Sequence, residues 1–234
     1  MEFSLLFAAL FGVAAVWLML RWEARRGNAA DCTKDLWDIA LMAGIAGVFV
    51  GRIAAMINDG VNPVTHPGDI IIVRSGVATG WAAVTAIAVV AWQGRGQFWI
   101  VADGLAAAGL AGLAGWHAGC TARDACLGSP SDLPWALSQS GSDVTRHPVG
   151  LYTALLFAVA AVAVALWKAY GRPALGVPAA TALVAAGAIR LLTEPIRPSL
   201  GGAPVGWYAA AVVVGLGVGG WRWWVRRRGT MPVP

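Results

Sequence analysis

The chain has 234 residues, of which 58% are hydrophobic and only 12% are charged. A soluble domain carries about twice that share of charged residues, so the composition excludes an ordinary soluble domain and predicts apolar surface facing lipid. The 30 glycines suit helices that pack closely in a bilayer. The net charge of +5 comes from scattered basic residues, without a basic face or nucleic-acid motif, so we expect no nucleic-acid partner.

Apolar segments separated by Gly, Pro and charged residues follow one another along the chain. The first, Phe3–Leu20, is long enough at 1.5 Å per residue to cross most of roughly 30 Å of hydrocarbon. We expect an all-α polytopic membrane protein of about seven transmembrane helices, forming a single transmembrane domain over residues 1–234. The further spans are expected at Ile39–Ile57, Ile70–Trp92, Phe98–Trp116, Val149–Trp167, Val177–Leu192 and Val205–Trp224.

The basic residues indicate how these spans are oriented. If the N-terminus lies outside, the inward segments hold both lysines and most arginines, as the positive-inside rule favours. We therefore expect the N-terminus outside, the C-terminus in the cytoplasm, and a multi-pass protein of the cytoplasmic (inner) membrane. The long extracytoplasmic loop then covers about residues 117–147. The arginines left on the outer half are Arg52, Arg74, Arg123, Arg146, Arg190 and Arg197.

A charged side chain within a span costs several kcal/mol unless it is paired or hydrated. Arg190, Glu194 and Arg197 are spaced four and three residues apart, which places them on one helix face near the outer surface. Pro195 should end or kink that helix. Two hypotheses remain open: a structural ion-pair network, or an anion pocket whose arginines are oriented by Glu194.

A second basic group precedes the fifth span. Arg146 and His147 stand before Pro148, which suits the first turn of a helix, so the helix N-terminus and Arg146 together would bind a phosphate. Phospholipid head groups lie at this depth. The alternative is that both side chains only anchor the helix in the interface. Arg52 either adds to this positive site or extends its head toward water.

One imidazole and one carboxylate lie at opposite ends of the fourth span. His117, at the outer end, is close to the proposed pocket and is suited to proton transfer near neutral pH. The alternative for His117 is ordinary packing. Asp103, at the inner end, is expected to be structural or to reach toward water.

The chain has three cysteines, Cys32, Cys120 and Cys126. They are too few for a disulfide scaffold and lack the paired spacing of a zinc site, so we expect neither a metal nor another cofactor. Under the expected topology Cys120 and Cys126 face an oxidising compartment. They form a disulfide or remain inert thiols, and a reactive thiol pair with a redox role is the alternative.

Several strings resemble the prolipoprotein diacylglyceryl transferase family, a resemblance that runs from about the second to the sixth span. The two most specific have the patterns RHPxxLY, from Arg146 to Tyr152, and RxxxExxR, from Arg190 to Arg197. The others are Gly51-Arg52, the turn Ser75–Gly80, and Asp103. The resemblance implies transfer of a diacylglyceryl group from phosphatidylglycerol to the cysteine thiol that follows a prolipoprotein signal peptide, with release of glycerol phosphate.

The resemblance also implies roles for particular residues. Arginines would neutralise the phosphate leaving group, and a base would help to form the thiolate. We therefore expect catalytic roles for His117, Arg190 and Glu194, and substrate-binding roles for Arg52, Arg146, His147, Tyr152 and Arg197.

This chain departs from the family pattern in two places. The family's histidine before a glycine pair is absent, since the chain reads Ala78-Thr79-Gly80 there. The central signature, His117 to Gly128, is similar to a branch in which cysteines replace an asparagine and a glutamate, and His117 takes the position of an arginine. Three hypotheses remain: a transferase with a rearranged base, a related membrane enzyme with another acceptor, and a lipid-binding paralogue without transfer.

Overall fold

The computed structural model describes residues 3–29, 31–71, 76–120, 126–138, 141–197 and 204–229. These ranges contain helices of 15 residues or more, one short helix, one 3-10 turn and a two-stranded hairpin. The helices are α1 (Phe3–Ala24), α2 (Leu36–Asn58), α3 (Gly68–Ile71), α4 (Thr79–Gln93), α5 (Phe98–Cys120), α6 (Val149–Gly171), α7 (Val177–Thr193) and α8 (Val205–Gly229). Strands β1 (Leu137–Ser138) and β2 (Thr145–Arg146) pair antiparallel between α5 and α6.

Five helices of the described chain are long and apolar enough to cross a membrane: α1, α2, α5, α6 and α7. At 15 residues, α4 measures about 22 Å, which is shorter than the roughly 30 Å of hydrocarbon. The last turn of α8 carries three arginines. Large apolar side chains such as Leu18, Ile45 and Leu155 are at least 60% exposed, as lipid-facing residues are. The chain is a polytopic membrane protein.

The third expected span, Ile70–Trp92, is wrong at its start. Helix α3 ends at Ile71, residues 76–78 are not helical, and α4 begins only at Thr79. The Ala78 N–H donates to the Gly51 carbonyl at 2.9 Å, which holds this extended segment against α2. An apolar segment that satisfies its backbone through a neighbouring helix has the same composition as a helix, so hydropathy alone does not separate the two.

Close backbone contacts at glycines join the helices in pairs. A Cβ on Gly115 of α5 would overlap the backbone of Phe11 in α1, and one on Gly47 of α2 would lie 2.9 Å from the Ala82 carbonyl of α4. Gly187 brings α7 equally close to α8. Such contacts provide packing in a bilayer, where burial of apolar surface supplies no driving force. The central core consists of Ala107, Leu110, Phe157, Ala161 and Ile189, among others, from α5, α6 and α7.

Asp103 connects two helices at one end of the bundle. Its carboxylate accepts hydrogen bonds from the Gly176 N–H at 2.6 Å and the Ala179 N–H at 2.9 Å, at the start of α7. Helix α7 has no side-chain cap of its own, so a carboxylate from α5 satisfies the free N–H groups and interacts favourably with the helix dipole. This is the structural role expected for Asp103. We call this end of the bundle the Asp103 end.

The same end contains a buried ion pair. Lys168 Nζ of α6 lies 2.7 Å from Glu23 Oε1 of α1, and the two side chains are 9% and 2% exposed. Asn28 donates to Glu23 Oε2 at 3.3 Å and to the Gly104 carbonyl at 3.2 Å. Hydrogen bonds to the remaining lone pairs are what makes a buried ion pair tolerable. Helix α1 therefore continues past the expected end at Leu20 to Ala24, which brings Glu23 to Lys168.

Candidate functional site

The opposite end of the bundle, which we call the Arg190 end, carries the residues at the C-terminus of α7. Arg190 Nη2 lies 3.7 Å from Glu194 Oε2, and both side chains are 13% exposed. That distance is an ionic contact without a hydrogen bond. Arg190 Nη1 and Glu194 Oε2 are buried and have no hydrogen-bond partner among the described residues. The pair therefore retains donor and acceptor capacity that a ligand can use.

Proline ends α7 at this point, as expected. The last helical residue is Thr193, and Glu194 caps the helix by donating its N–H to the Arg190 carbonyl. A 3-10 turn, Glu194–Ile196, follows, and Arg197 is extended. The expectation that all three charged residues share one helix face is therefore wrong for Arg197, which lies beyond the helix.

Arg197 nevertheless lies near Arg190. Burial lowers the pKa of the half-buried Arg197 guanidinium, and the charge of Arg190 lowers it further, whereas Glu194 and Tyr208 raise it. An arginine stays protonated even so. Two guanidinium groups with one carboxylate leave a net positive charge, which suits an anion.

Tyr208 of α8 holds Arg190 in place. Arg190 Nη2 donates to the Tyr208 hydroxyl, and the guanidinium carbon lies 4.7 Å from the centre of the ring. Tyr208 is 7% exposed, and Gly187 allows α7 to approach its backbone. A hydrogen bond and a cation–π contact from one side chain restrict the orientation of the guanidinium.

His117 lies in the last turn of α5 at the same end. Its side chain is 8% exposed and stacks on Phe157, with ring centroids 5.7 Å apart. The ring is within electrostatic range of Arg190 and Arg197. Its Nδ1 atom is buried and has no hydrogen-bond partner within the described ranges. An oriented, buried imidazole with a free nitrogen is available to move a proton.

The RHPxxLY string lies at the start of α6. Arg146 Nη1 donates to the Gly128 carbonyl at 3.2 Å. Pro148 is the N-cap residue of α6. It was expected in the first turn of the helix, which begins one residue later at Val149. Tyr152 contacts the edge of the His147 ring and accepts a hydrogen bond from Trp135 Nε1 at 2.7 Å. The Nδ1 atom of His147 is buried without a hydrogen-bond partner in the described chain.

A short segment joins the two arginine strings. The Gly128 N–H donates to the His147 carbonyl at 2.7 Å, and the Ser129 N–H donates to the Ile196 carbonyl at 2.9 Å. A Cβ on Gly128 would overlap both Ile196 and Val149. Residues 128–129 therefore lie between the start of α6 and the 3-10 turn after α7. The structure thus brings the two strings to one place, which their separation in sequence does not reveal.

Arg52 and the cysteines make contacts of their own. Arg52, 3% exposed, donates to the Asp69 carbonyl at 2.8 and 3.2 Å and to the Gly76 carbonyl at 3.1 Å. It therefore holds the segment between α2 and α4. Cys126 takes part in a disulfide, whereas Cys32 is a free thiol. The side chain of Cys120, the predicted partner of Cys126, lies outside the part of the chain that the structure describes. Arg74 and Arg123 lie outside it as well.

Fold and site together define a polytopic membrane protein with a cationic cluster and a buried imidazole, that of His117, at one end of its helical bundle. Residues 3–223 match the family model described as prolipoprotein diacylglyceryl transferase. The chain belongs to this family.

Individual relatives agree with this assignment. The chain is 30% identical over 198 residues to the phosphatidylglycerol–prolipoprotein diacylglyceryl transferase of Bordetella avium, covering 80% of this chain and 74% of the relative. It is 27% identical over 195 residues to the enzyme of the same name from Methylococcus capsulatus, covering 80% and 74%. The protein of that name from Solidesulfovibrio magneticus is 27% identical over 221 residues, covering 89% and 83%.

Sequence reasoning did not find Tyr208. It is one of only three tyrosines and lies in an apolar span. A tyrosine in such a span needs a hydrogen-bond partner for its hydroxyl, and this need was the sign in the sequence that pointed to Tyr208. Its partner Arg190 belongs to another span, and sequence alone does not pair the two helices.

We predict that Tyr208→Phe weakens binding of glycerol 3-phosphate, a soluble phosphate probe, about tenfold. The variant keeps the ring but removes the acceptor that orients Arg190, and a hydrogen bond to a charged group contributes about 1.5–3 kcal/mol. Isothermal titration calorimetry on the purified protein measures the change. Tyr170→Phe is the matched control, because Tyr170 is 76% exposed. Equal affinity of the two variants would show that Tyr208 does not position Arg190.

Proposed function

We propose that this protein transfers the diacylglyceryl group of phosphatidylglycerol to the cysteine thiol of a prolipoprotein. The observation that carries the proposal is the cluster of Arg190, Glu194 and Arg197 beside the buried imidazole of His117, in a chain of this family. The named relatives are transferases for phosphatidylglycerol and prolipoprotein. No cofactor is needed for the reaction as written below.

The reaction exchanges one bond at a glycerol carbon. The cysteine thiol gives its proton to a base, and the thiolate sulfur attacks the diacylglyceryl carbon that carries the phosphate ester. A carbon–sulfur bond forms while the carbon–oxygen bond breaks, and the electron pair leaves with the oxygen of glycerol phosphate. The leaving group develops negative charge, so fixed cations beside its phosphate lower the barrier.

The arginines fit the leaving group. Arg190 has a buried Nη1 without a hydrogen-bond partner among the residues that the structure describes, and its orientation is held by Tyr208 and Glu194. A preoriented guanidinium binds phosphate oxygens through two parallel N–H donors. Arg197 adds a second positive charge within electrostatic range. We assign the phosphate to these two arginines and the orientation of Arg190 to Glu194.

The RHPxxLY string, from Arg146 to Tyr152, borders the Arg190 cluster. Residues 128–129 connect His147 with the turn that precedes Arg197, so Arg146, His147 and Tyr152 form one wall of the substrate site. Arg52 contributes to the substrate site indirectly. Its guanidinium donates to backbone carbonyls of the segment before α4 and so holds that segment in place.

His117 is the base in this proposal. The family's histidine is missing at Ala78–Gly80, and the thiolate is the reactive form of cysteine. The free Nδ1 atom of His117 lies close to the arginine cluster, and stacking on Phe157 fixes the ring.

Purified protein in phosphatidylglycerol nanodiscs should convert a prolipoprotein signal peptide to its thioether and release glycerol phosphate. We predict that Arg190→Ala lowers kcat/KM at least a hundredfold, because the buried phosphate loses a charge-assisted bidentate contact. Mass spectrometry of the peptide measures the product. Arg95→Ala is the control, since Arg95 is exposed at the Asp103 end and stacks on Trp92.

Other outcomes of this assay identify the alternatives. Release of glycerol phosphate without peptide modification would indicate a different acceptor. Bound phosphatidylglycerol without any turnover, in correctly inserted protein, would indicate a lipid-binding paralogue. Equal activity of the Arg190→Ala and Arg95→Ala variants would contradict the phosphate role of Arg190.

We predict that His117→Asn lowers kcat at least a hundredfold and leaves KM for phosphatidylglycerol nearly unchanged. The change removes the proton acceptor but not the phosphate contacts, and general base catalysis contributes about 10²–10⁴-fold. His66→Asn serves as the control because His66 is exposed and bonds to Thr65. If instead His147→Asn abolished turnover and His117→Asn did not, the base would be His147.

We propose further that seven helices span the membrane, with the N-terminus outside, the C-terminus in the cytoplasm and the Arg190 end at the outer face of the cytoplasmic membrane. Arg222 of α8 bonds to the Leu175 carbonyl at the Asp103 end, and Gly119 of α5 contacts Ala8 of α1 at the other. These contacts support an alternating bundle whose basic C-terminal turn lies on the cytoplasmic side.

The free thiol tests this topology. Cys32 lies in the connection between α1 and α2, so we predict that a membrane-impermeant maleimide labels it in inverted vesicles but not in intact cells. An added thiol in the hairpin, Ser138→Cys, should show the reverse pattern, because Ser138 is exposed in β1. Labelling of Cys32 in intact cells would overturn the orientation.

A further inference from the structure

The Asp103 end holds a cleft that the proposed reaction does not use. Its volume is about 250 Å³, equal to roughly eight water molecules at liquid density. It lies among the ends of α1 and α6, the first turns of α5 and the start of α7. The Lys168–Glu23 ion pair forms its floor, and the exposed Arg26 and Arg172 line its mouth.

The charges in the cleft do not cancel. Glu23 is paired with Lys168, and the Asp103 carboxylate is occupied by the N–H groups of α7. Neither Arg26 nor Arg172 has an acidic partner within the described ranges. Each carboxylate therefore already contacts a cation or an N–H donor of the protein, and two positive charges remain at the mouth. A cleft with this balance selects an anion.

Arg26 stacks on a tryptophan of α1. Its guanidinium carbon lies 3.8 Å from the centre of the Trp22 ring, which also lines the cleft. Stacking uses the face of the guanidinium and leaves its N–H edge available. That edge carries the paired donors that match phosphate oxygens.

Arg172 occupies a backbone position that usually belongs to glycine. It caps the C-terminus of α6 with a φ of 44°, in the left-handed region. Glycine or asparagine adopts this conformation at helix ends with less strain. Ala29, the other non-glycine residue with positive φ in the described chain, lines the same cleft. Strained residues often mark places where a side chain or the local geometry has a use.

The geometry points to a second phosphate site here, which binds the head group of an anionic phospholipid between Arg26 and Arg172. The cleft lies at the end of the membrane helices, where head groups lie, and basic clefts between helix ends bind such groups. It is separate from the Arg190 cluster, because the 17 residues of α7 place the two ends about 25 Å apart. The site accepts a phosphate that carries a lipid, and it takes no part in the transfer.

Hydrogen exchange of the full-length protein in detergent tests this site. The probes are dihexanoyl phosphatidylglycerol, dihexanoyl phosphatidylcholine, glycerol 3-phosphate and inorganic phosphate. We expect phosphatidylglycerol to slow exchange in peptides covering residues 23–31 and 168–176. The double variant Arg26→Gln/Arg172→Gln should need about tenfold more lipid for the same protection, because each guanidinium contributes charge-assisted contacts.

The control variant is Arg21→Gln/Arg95→Gln. Both arginines are exposed, stack on tryptophan and lie at the same end, but neither lines the cleft. This control should retain the wild-type protection. The proposal is wrong if the cleft variant and the control respond alike, if these peptides show no protection, or if phosphatidylcholine protects equally.

Two further comparisons complete the test. Protection by glycerol 3-phosphate or inorganic phosphate at the same concentration would support a phosphate site. It would overturn the proposal that the bound phosphate belongs to a lipid head group. Peptides covering residues 189–197 report the Arg190 cluster separately. Their protection should be the same in the cleft variant as in wild type, so a failure of the second site is distinguishable from a failure of the proposed transferase site.

Discussion

A charged group inside a bilayer must have a partner, because lipid offers no hydrogen bonds, and this constraint organises the whole molecule. At the Asp103 end the requirement is met within the protein: Glu23 pairs with Lys168, and Asp103 caps α7. At the Arg190 end it is met only in part. Within the described part of the chain, Arg190 and Glu194 retain atoms there that have no hydrogen-bond partner. The first end stabilises the bundle, and the second keeps its capacity for a substrate.

The fold was largely predictable from the order of apolar segments, since helices are the available way to satisfy the backbone in lipid. The exception is the start of α4. Most residues just before Thr79 are apolar, but the Ala78 N–H bonds to the Gly51 carbonyl of another helix. Hydropathy does not register a hydrogen bond between distant segments. In the same way, Glu23 and Lys168 belong to separate helices, and the residues around each of them do not indicate that the two form an ion pair.

The candidate site was predictable where it depends on local spacing. Arg190 and Glu194 are four residues apart on one helix, so their contact follows from helical geometry. Tyr208 was missed because its contact with Arg190 depends on how α7 and α8 pack. Arg52 was expected to bind substrate, and that role stays a prediction; the structure adds that its guanidinium donates to backbone carbonyls. A buried arginine satisfies its donors with whatever acceptors the tertiary structure supplies, and sequence does not show them.

The glycine contacts have a mechanical consequence. At Gly115 against Phe11, Gly47 against Ala82, and Gly187 against the Tyr208 carbonyl, one backbone rests directly on another helix. If either helix slid by one residue, a side chain would be driven into the opposing backbone. Each pair, α1 with α5, α2 with α4, and α7 with α8, is therefore held in register at these contacts.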